Sequence, residues 1–356
     1  MKKINVCVLF GGISPEHEVS LRSAECVLNH MDPERYNIFP VGITKKGDWI
    51  LYAGKNYSLP PSGQWMHFEG NRRAVLSPIR GQGLLSFEGD CVVREQIDVV
   101  VPVLHGEHGE DGCMQGLLNI AGLAYVGSGV GASAASMDKT MTKLVVGTTS
   151  VRQADWYLVT RARFESSAEA QMDAVEAKFQ YPVFVKPAGT GSSVGVSKAK
   201  DRDSLHDALV EALKFDSKVL VEEFIDGHEV EVAVLGNDNP VASVCGEIDA
   251  GAEFYDYEAK YISTTSRTLI PARITPEQTE AAREAAVTVY QALGCRGLSR
   301  VDFFVTHDGG EVVFNEINTL PGFTSISMYP KLFEASGIPT DALIDQLIAL
   351  ALEDAQ

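Results

Sequence analysis

A short apolar run, Ile4 to Phe10, is broken by Gly11-Gly12 and followed by Ala24, Val27, Leu28 and Met31 at helical spacing. A strand apolar at nearly every position must be covered on both faces, which predicts a parallel sheet with helices packed against it. In the loop between, Ser14 is placed to cap the helix, with Pro15 in its first turn. A second unit runs from Ile97 to Leu104 through a polar loop into a helix over Met114 to Ala121. Both loops then lie at carboxyl ends of strands, where open α/β sheets take ligands.

The stretch from 45 to 95 holds Trp49, Trp65 and many Gly and Pro residues and reads as hairpins and irregular loops. Small residues from Gly127 to Ala135 predict a connection, with a helix beginning near Met137. Beyond Tyr181 the texture changes to short β runs at 183–185, 219–221, 229–235 and 241–244, with a helix over Asp203 to Lys214. A long helix from Pro276 to Leu293, strands at 299–305 and 311–317, a Gly/Ser/Thr loop and a terminal helix complete the chain. With 356 residues and about 150 residues per domain, the simplest partition is 1–130, 131–225 and 226–356. The fold class is α/β first and α+β afterwards, with no internal repeat.

Lys and Arg number 30 against 48 Asp and Glu, a formal charge of −18. That balance argues against nucleic acid or a membrane surface as partner, so any phosphate must meet a local basic site. The start reads as a strand rather than a signal peptide, and no apolar stretch reaches the roughly 18 residues of a membrane span. Six scattered cysteines without a C-x-x-C pair suit reduced thiols in the cytoplasm.

The strongest chemical pattern is Arg300-Val301-Asp302 with Phe314-Asn315-Glu316-Ile317-Asn318. Alternation puts Arg300 and Asp302 on one strand face and Glu316 and Asn318 on another. A three-residue hairpin loop at 308–310 sets Asp302 opposite Glu316 and Arg300 opposite Asn318. Asp302, Glu316 and Asn318 then offer hard oxygens suited to Mg²⁺. A cross-strand ion pair on a solvated face is the bland account of the same residues.

Lys186-Pro187-Ala188-Gly189-Thr190-Gly191-Ser192-Ser193-Val194-Gly195 is a Gly/Ser hairpin loop after a strand, lacking the Walker A sequence. It can fold over phosphates with Lys186 supplying charge, and a flexible surface turn fits equally. Glu222-Glu223-Phe224-Ile225 at a strand end can hydrogen-bond a ribose or an adenine amino group. Glu18 can grip an ammonium group or simply complement a helix N-terminus. His105-x-x-His108 with flanking acids is weak evidence for a transition-metal site.

Taken together, Gly11-Gly12-x-Ser14-x-Glu16-His17-Glu18-Val19-Ser20, His105-Gly106 with Gly109-Glu110-Asp111-Gly112, Ser136-Met137-Asp138-Lys139, Lys186-Pro187 with Gly191 to Gly195, Phe254 to Tyr261, Arg300-Val301-Asp302 and Asn315 to Ser325 resemble the D-alanine:D-alanine ligase family of the ATP-grasp superfamily, including the related glycopeptide-resistance ligases. The resemblance spans about residues 4 to 335 and implies a three-domain ATP-grasp fold with a parallel-sheet N-terminal domain. It implies ATP at Lys139, Lys186, Ser192, Ser193, Glu222 to Ile225, Glu229, Phe254, Lys260, Asn315 and Glu316. Two Mg²⁺ ions, with Mn²⁺ as a substitute, fall to Asp302, Glu316 and Asn318. Glu18 and His105 would serve the first D-alanine, Arg300 and the Gly322 N–H its carboxylate, and Ser327 and Met328 the second substrate. Ser192 and Tyr261 would join Glu18 in latching the 189–195 loop. The implied reaction joins two D-alanines through a D-alanyl phosphate for peptidoglycan precursors, with D-serine as an alternative second substrate, in a cytoplasmic homodimer. Two stretches depart from the family pattern: Ile326-Ser327-Met328, where His-Ser-Leu is common, and Gly147-Thr148-Thr149-Ser150.

Overall fold

The computed structural model describes residues 2–55, 57–59, 63–249 and 267–353. Ile4–Gly11 lies between Tyr36–Ile43 and Val99–Leu104, parallel to both, and Ala124–Tyr125 adds a fourth parallel strand. Val6 to Phe10 are wholly buried, as an apolar strand covered on both faces requires. The 45–95 region extends this sheet through antiparallel strands Trp49–Leu51, Arg72–Leu76, Leu84–Glu88 and Cys91–Glu95, giving eight strands in all. Its 3-10 segment Gln64–His67 lays Trp65 edge-on to Phe10, with ring centroids 5.1 Å apart.

Ser14 does not cap the first helix. His17–His30 has Glu16 at its N-cap, and the Ser14 hydroxyl donates to the His105 carbonyl at 2.7 Å. Because Ile4–Gly11 and Val99–Leu104 end side by side at Gly11 and Leu104, that bond ties together the two loops leaving them.

Gly127 to Ala135 proves to be mostly helical, as Val130–Met137. The alanines at 132, 134 and 135 are strong helix formers, and they outweigh the glycines that suggested a connection. Asp138 then caps Lys139–Val146 by accepting from Thr140 and Met141 N–H groups. The departing Thr148 and Thr149 side chains bond the Val145 and Val146 carbonyls, finishing that helix. Arg161–Ser166 and Ala168–Lys178 escaped the periodicity reading because the second buries only Met172 and Val175 and the first buries nothing.

An antiparallel sheet of Ser197–Ala199, Val183–Pro187, Lys218–Glu223 and Trp156–Thr160 follows. A five-stranded antiparallel sheet then runs Arg267–Leu269, Val241–Asp249, Gly227–Leu235, Leu298–Thr306, Val312–Asn318, backed by Pro276–Ala292. The chain finally returns to the first sheet: Leu343, Ile344 and Leu347 of Thr340–Glu353 share a core with Val6, Val8 and Val103. Asp345 accepts from Tyr36 Oη at 2.5 Å. Among the described residues no single helix is long and apolar enough to cross a membrane. All six cysteines are free thiols.

Gly42 has no side chain because the Trp65 ring and Phe10 occupy the space a Cβ would need. Gly42→Ala should therefore cost about 1–3 kcal/mol, seen as a lower thermal midpoint; an unchanged midpoint would show that the 45–95 region is not packed on the sheet in this way.

Candidate active site

A cleft of about 780 Å³ opens where the loops of the first sheet, the 189–195 loop and the Arg300–Asn318 hairpin meet. The hairpin carries Arg300 opposite Asn318 and Asp302 opposite Glu316, the pairing expected. The route to it differs. Thr306 N–H bonds the Glu311 carbonyl, so the loop is His307 to Gly310, one residue longer than anticipated. Phe303 pairs with Phe314, and the register shifts by one residue before Asp302 meets Glu316. Asn315 is the extra residue of this bulge, and a bulge re-aims a side chain that strict alternation would send to the opposite face. Asn315 and Glu316 both line the cleft.

Arg300 grips the buried Asp302 with two bonds, Nε at 2.8 Å and Nη2 at 2.7 Å, and lies 3.1 Å from Glu231 Oε2. Burial would lower the guanidinium's proton affinity, but Asp302 and Glu231 reverse this and hold it well above its ordinary value. Glu231 was not singled out from the sequence. It sits on Gly227–Leu235 directly opposite Asp302, and the signal was an acid flanked by valines, Val230 and Val232, within that strand.

The acid beside the phosphate-type loop is Glu16, not Glu18. Ser192 Oγ donates to Glu16, whereas Glu18, also on the cleft wall, pairs with Lys45. Helix geometry explains the difference: Glu16 at the N-cap belongs to the loop, and Glu18 lies on the helix. Burial would raise the Glu18 carboxyl, but Lys45 brings it below the usual range. Glu16 lies over Gly106, whose left-handed φ of 68° and lack of a Cβ leave room for that carboxylate. Ser192 and Ser193 also take left-handed backbone, at 51° and 58°. Tyr261, Lys260 and Phe254 lie outside the described residues.

His105 is buried, its Nδ1 3.1 Å from the Leu320 carbonyl and its Nε2 3.1 Å from Ser23 Oγ. Burial pushes its pKa down, so neutral imidazole fits these contacts. His108, with Asp111 and Cys113, lies apart from it on the outer side of the loop. Glu110 accepts from Gly106 N–H at 2.7 Å. Enclosure of its carboxyl and the nearby Glu16 charge push it up to about 8, against the pull of the Gly106 and Leu320 N–H groups. Gly322 lies against the Ser327 hydroxyl, which also accepts from Thr324 N–H at 3.0 Å. Met328 opens the helix Met328–Ala335 and packs its sulfur against Gly246.

Lys139 Nζ donates to the Thr190 carbonyl at 2.7 Å, tying the helix start to the 189–195 loop. Lys186 Nζ sits 2.7 Å from Glu222 Oε2 and 3.0 Å from Asn315 Oδ1. Glu222 is buried and also meets Lys143 at 3.0 Å, a lysine the sequence reading passed over. Glu223 turns away to accept from Asp155 N–H at 2.9 Å. Phe224 is half-exposed with Lys198 Nζ 4.2 Å from its ring centre, and it stands with Ile225 on the crossing between the two antiparallel sheets. Glu229 follows on Gly227–Leu235, opposite Ile248 and Phe304.

Two family models match the chain: D-ala D-ala ligase N-terminus over residues 5–128 and D-ala D-ala ligase C-terminus over residues 145–349. A D-alanine–D-alanine ligase of Caldicellulosiruptor bescii is 48% identical over 354 residues, covering 99% of this chain and 96% of that one. One from Chlorobium limicola is 48% identical over 357 residues, covering 99% and 98%. Among solved structures, the VanG D-Ala:D-Ser ligase from Enterococcus faecalis superposes with a TM-score of 0.89 at 38% identity, covering 98% of this chain and all of that one. The D-alanine-D-alanine ligase from Coxiella burnetii gives 0.88 at 34%, covering 100% and 96%.

Glu110 has a pH signature. Between 4.5 and about 8 the unfolded chain has released the Glu110 proton that the folded chain keeps, so this group makes stability fall as pH rises. Glu110→Gln should flatten that fall when urea midpoints are compared across the same window; parallel curves for the two proteins would show that Glu110 ionises normally.

Proposed function

This chain belongs to the D-alanine–D-alanine ligase family, and we propose that it joins two D-alanines with ATP, through a D-alanyl phosphate, to make D-alanyl-D-alanine for peptidoglycan precursors. The observation that carries the reading is one cleft holding a guanidinium, an acid latched to a Ser/Gly loop and a carboxylate-amide strand face. In this assignment Glu16 takes the ammonium group of the first D-alanine, the place first given to Glu18. Arg300 and the Gly322 N–H take its carboxylate, with His105 holding the Leu320 end of that loop. Lys139, Lys186 and the 189–195 loop take the ATP phosphates, and the crossing from Glu222 to Ile225 with Glu229 borders the nucleotide.

A carboxylate is a poor electrophile. Transfer of the γ-phosphoryl group to the D-alanine carboxylate releases ADP and gives an acyl phosphate, whose carbonyl carbon the second amine attacks before phosphate leaves. Arg300 and the Gly322 N–H stabilise the oxyanion of the tetrahedral intermediate, a contact worth about 3–4 kcal/mol. The loop held by Ser192 excludes the water that would hydrolyse the acyl phosphate.

The donor set suits Mg²⁺. Three carboxylates, Glu231, Asp302 and Glu316, stand against the single guanidinium of Arg300, leaving two negative charges for a divalent ion. Asp302, Glu316 and Asn318 would hold it, and its charge would offset that of the phosphates. The same reading makes the enzyme cytoplasmic, with a second copy of the chain as its macromolecular partner.

Met328 is apolar and buried where the second substrate is assigned. It offers no partner to a D-serine hydroxyl, and leaving one unpaired costs about 1–3 kcal/mol. D-Alanine is therefore the expected second substrate.

Phosphate release from Mg-ATP should proceed with D-alanine alone and yield D-Ala-D-Ala by mass; a requirement for D-serine would overturn the substrate assignment, and no release would overturn the ligase reading. Glu16→Gln should lower kcat/KM for D-alanine by about 10- to 100-fold, while Glu18→Gln, losing only an exposed pair, changes it by less than about threefold. The reverse order would return the ammonium role to Glu18.

A further inference from the structure

From the cleft wall at Lys143 a chain of alternating charge runs into the neighbouring antiparallel sheet. Lys143 is 2% exposed, on the inner face of Lys139–Val146. Its ammonium lies 3.0 Å from Glu222 Oε1 and donates to the Ala154 carbonyl at 3.3 Å. Glu222 Oε2 lies 2.7 Å from Lys186, and Lys186 donates to Asn315 Oδ1 at 3.0 Å. Four elements are thereby linked: the helix of Lys143, the strands of Glu222 and Lys186, and the bulge of Asn315.

A buried charge is tolerated only with a partner. Burial would raise the Glu222 carboxyl, and the Lys143 and Lys186 charges together bring it down to about 2. With Glu222 anionic and Lys143 absent, Glu222 and Lys186 would cancel, and the cleft would present a neutral pair to a tetravalent anion. With Lys143 present, two cations share one carboxylate and the set keeps a net positive charge, Lys186 being the more exposed of the two lysines at 14% against 2%.

We propose that Lys143 is a positioning residue for ATP: by neutralising Glu222, it leaves the Lys186 charge available to the nucleotide phosphates. The inference rests on the assignment of the phosphate site under Proposed function. The Lys143 ammonium is held by Glu222 and the Ala154 carbonyl, so its action on the phosphates passes through Glu222. It also accounts for part of how a chain of charge −18 attracts a polyanion: the required positive charge is built locally and out of reach of solvent screening.

Steady-state kinetics on the full chain with Mg-ATP and D-alanine test this, alongside calorimetric titration with ATP. Lys143→Met should raise the KM and dissociation constant for ATP by about tenfold or more while leaving the KM for D-alanine unchanged. Lys143→Arg, which keeps the charge, should recover much of the loss. ATP affinity within twofold of wild type in Lys143→Met overturns the proposal. So does an equal rise in both KM values with a lowered thermal midpoint. A wild-type protein that binds ATP but releases no phosphate with D-alanine would instead sink the ligase reading, and the ATP titrations would still decide the role of Lys143.

Discussion

The antiparallel pairing of Leu298–Thr306 with Val312–Asn318, interrupted by one bulged residue, is the constraint on which the cleft depends. It sets Arg300, Asp302, Glu316 and Asn318 on a common patch, and its extra residue turns Asn315 toward Lys186. A strand slipped by one position would send these side chains into the apolar layer formed by Val301, Phe303 and Phe314. The same two-residue period that buries that layer therefore exposes the polar face. Catalytic geometry and core packing are specified by a single register.

Charge placement follows from this pairing and from the sheets around it. The cleft holds buried carboxylates and buried cations in contact, with Arg300 between Glu231 and Asp302, and Glu222 between Lys143 and Lys186. Each group is costly alone and tolerable in its set. One set carries an excess of negative charge and suits a divalent cation, and the other carries an excess of positive charge and suits phosphate. Their adjacency through Lys186 and Asn315 would juxtapose the two halves of the proposed metal–nucleotide site.

The first sheet supplies the remaining parts through loops that leave neighbouring parallel strands. Ser14 bonds the His105 carbonyl, His105 meets Leu320, and Ser23 accepts from Phe323 N–H at 3.2 Å. The loop carrying Gly322 and Ser327 is thus tied to the N-terminal sheet. The terminal helix Thr340–Glu353 packs on that sheet as well. The first and last parts of the sequence therefore share one core beside the cleft.

Much of this was legible in the sequence because it rests on short periods. The apolar runs at 4–10 and 97–104, the alternation around Asp302 and Glu316, and the Gly/Ser loop after Lys186 are local patterns with direct geometric meaning. The family motifs named the substrate class and supplied the residues proposed for the phosphates. What only the tertiary structure decided are the choices made across long separations: Glu16 rather than Glu18 beside Ser192, Glu231 opposite Asp302, Lys143 against Glu222, and a longer turn compensated by the Asn315 bulge. A carboxylate or ammonium looks the same in sequence whether it faces solvent or a buried partner, and only the pairing of strands and the angle of a helix start distinguish the two.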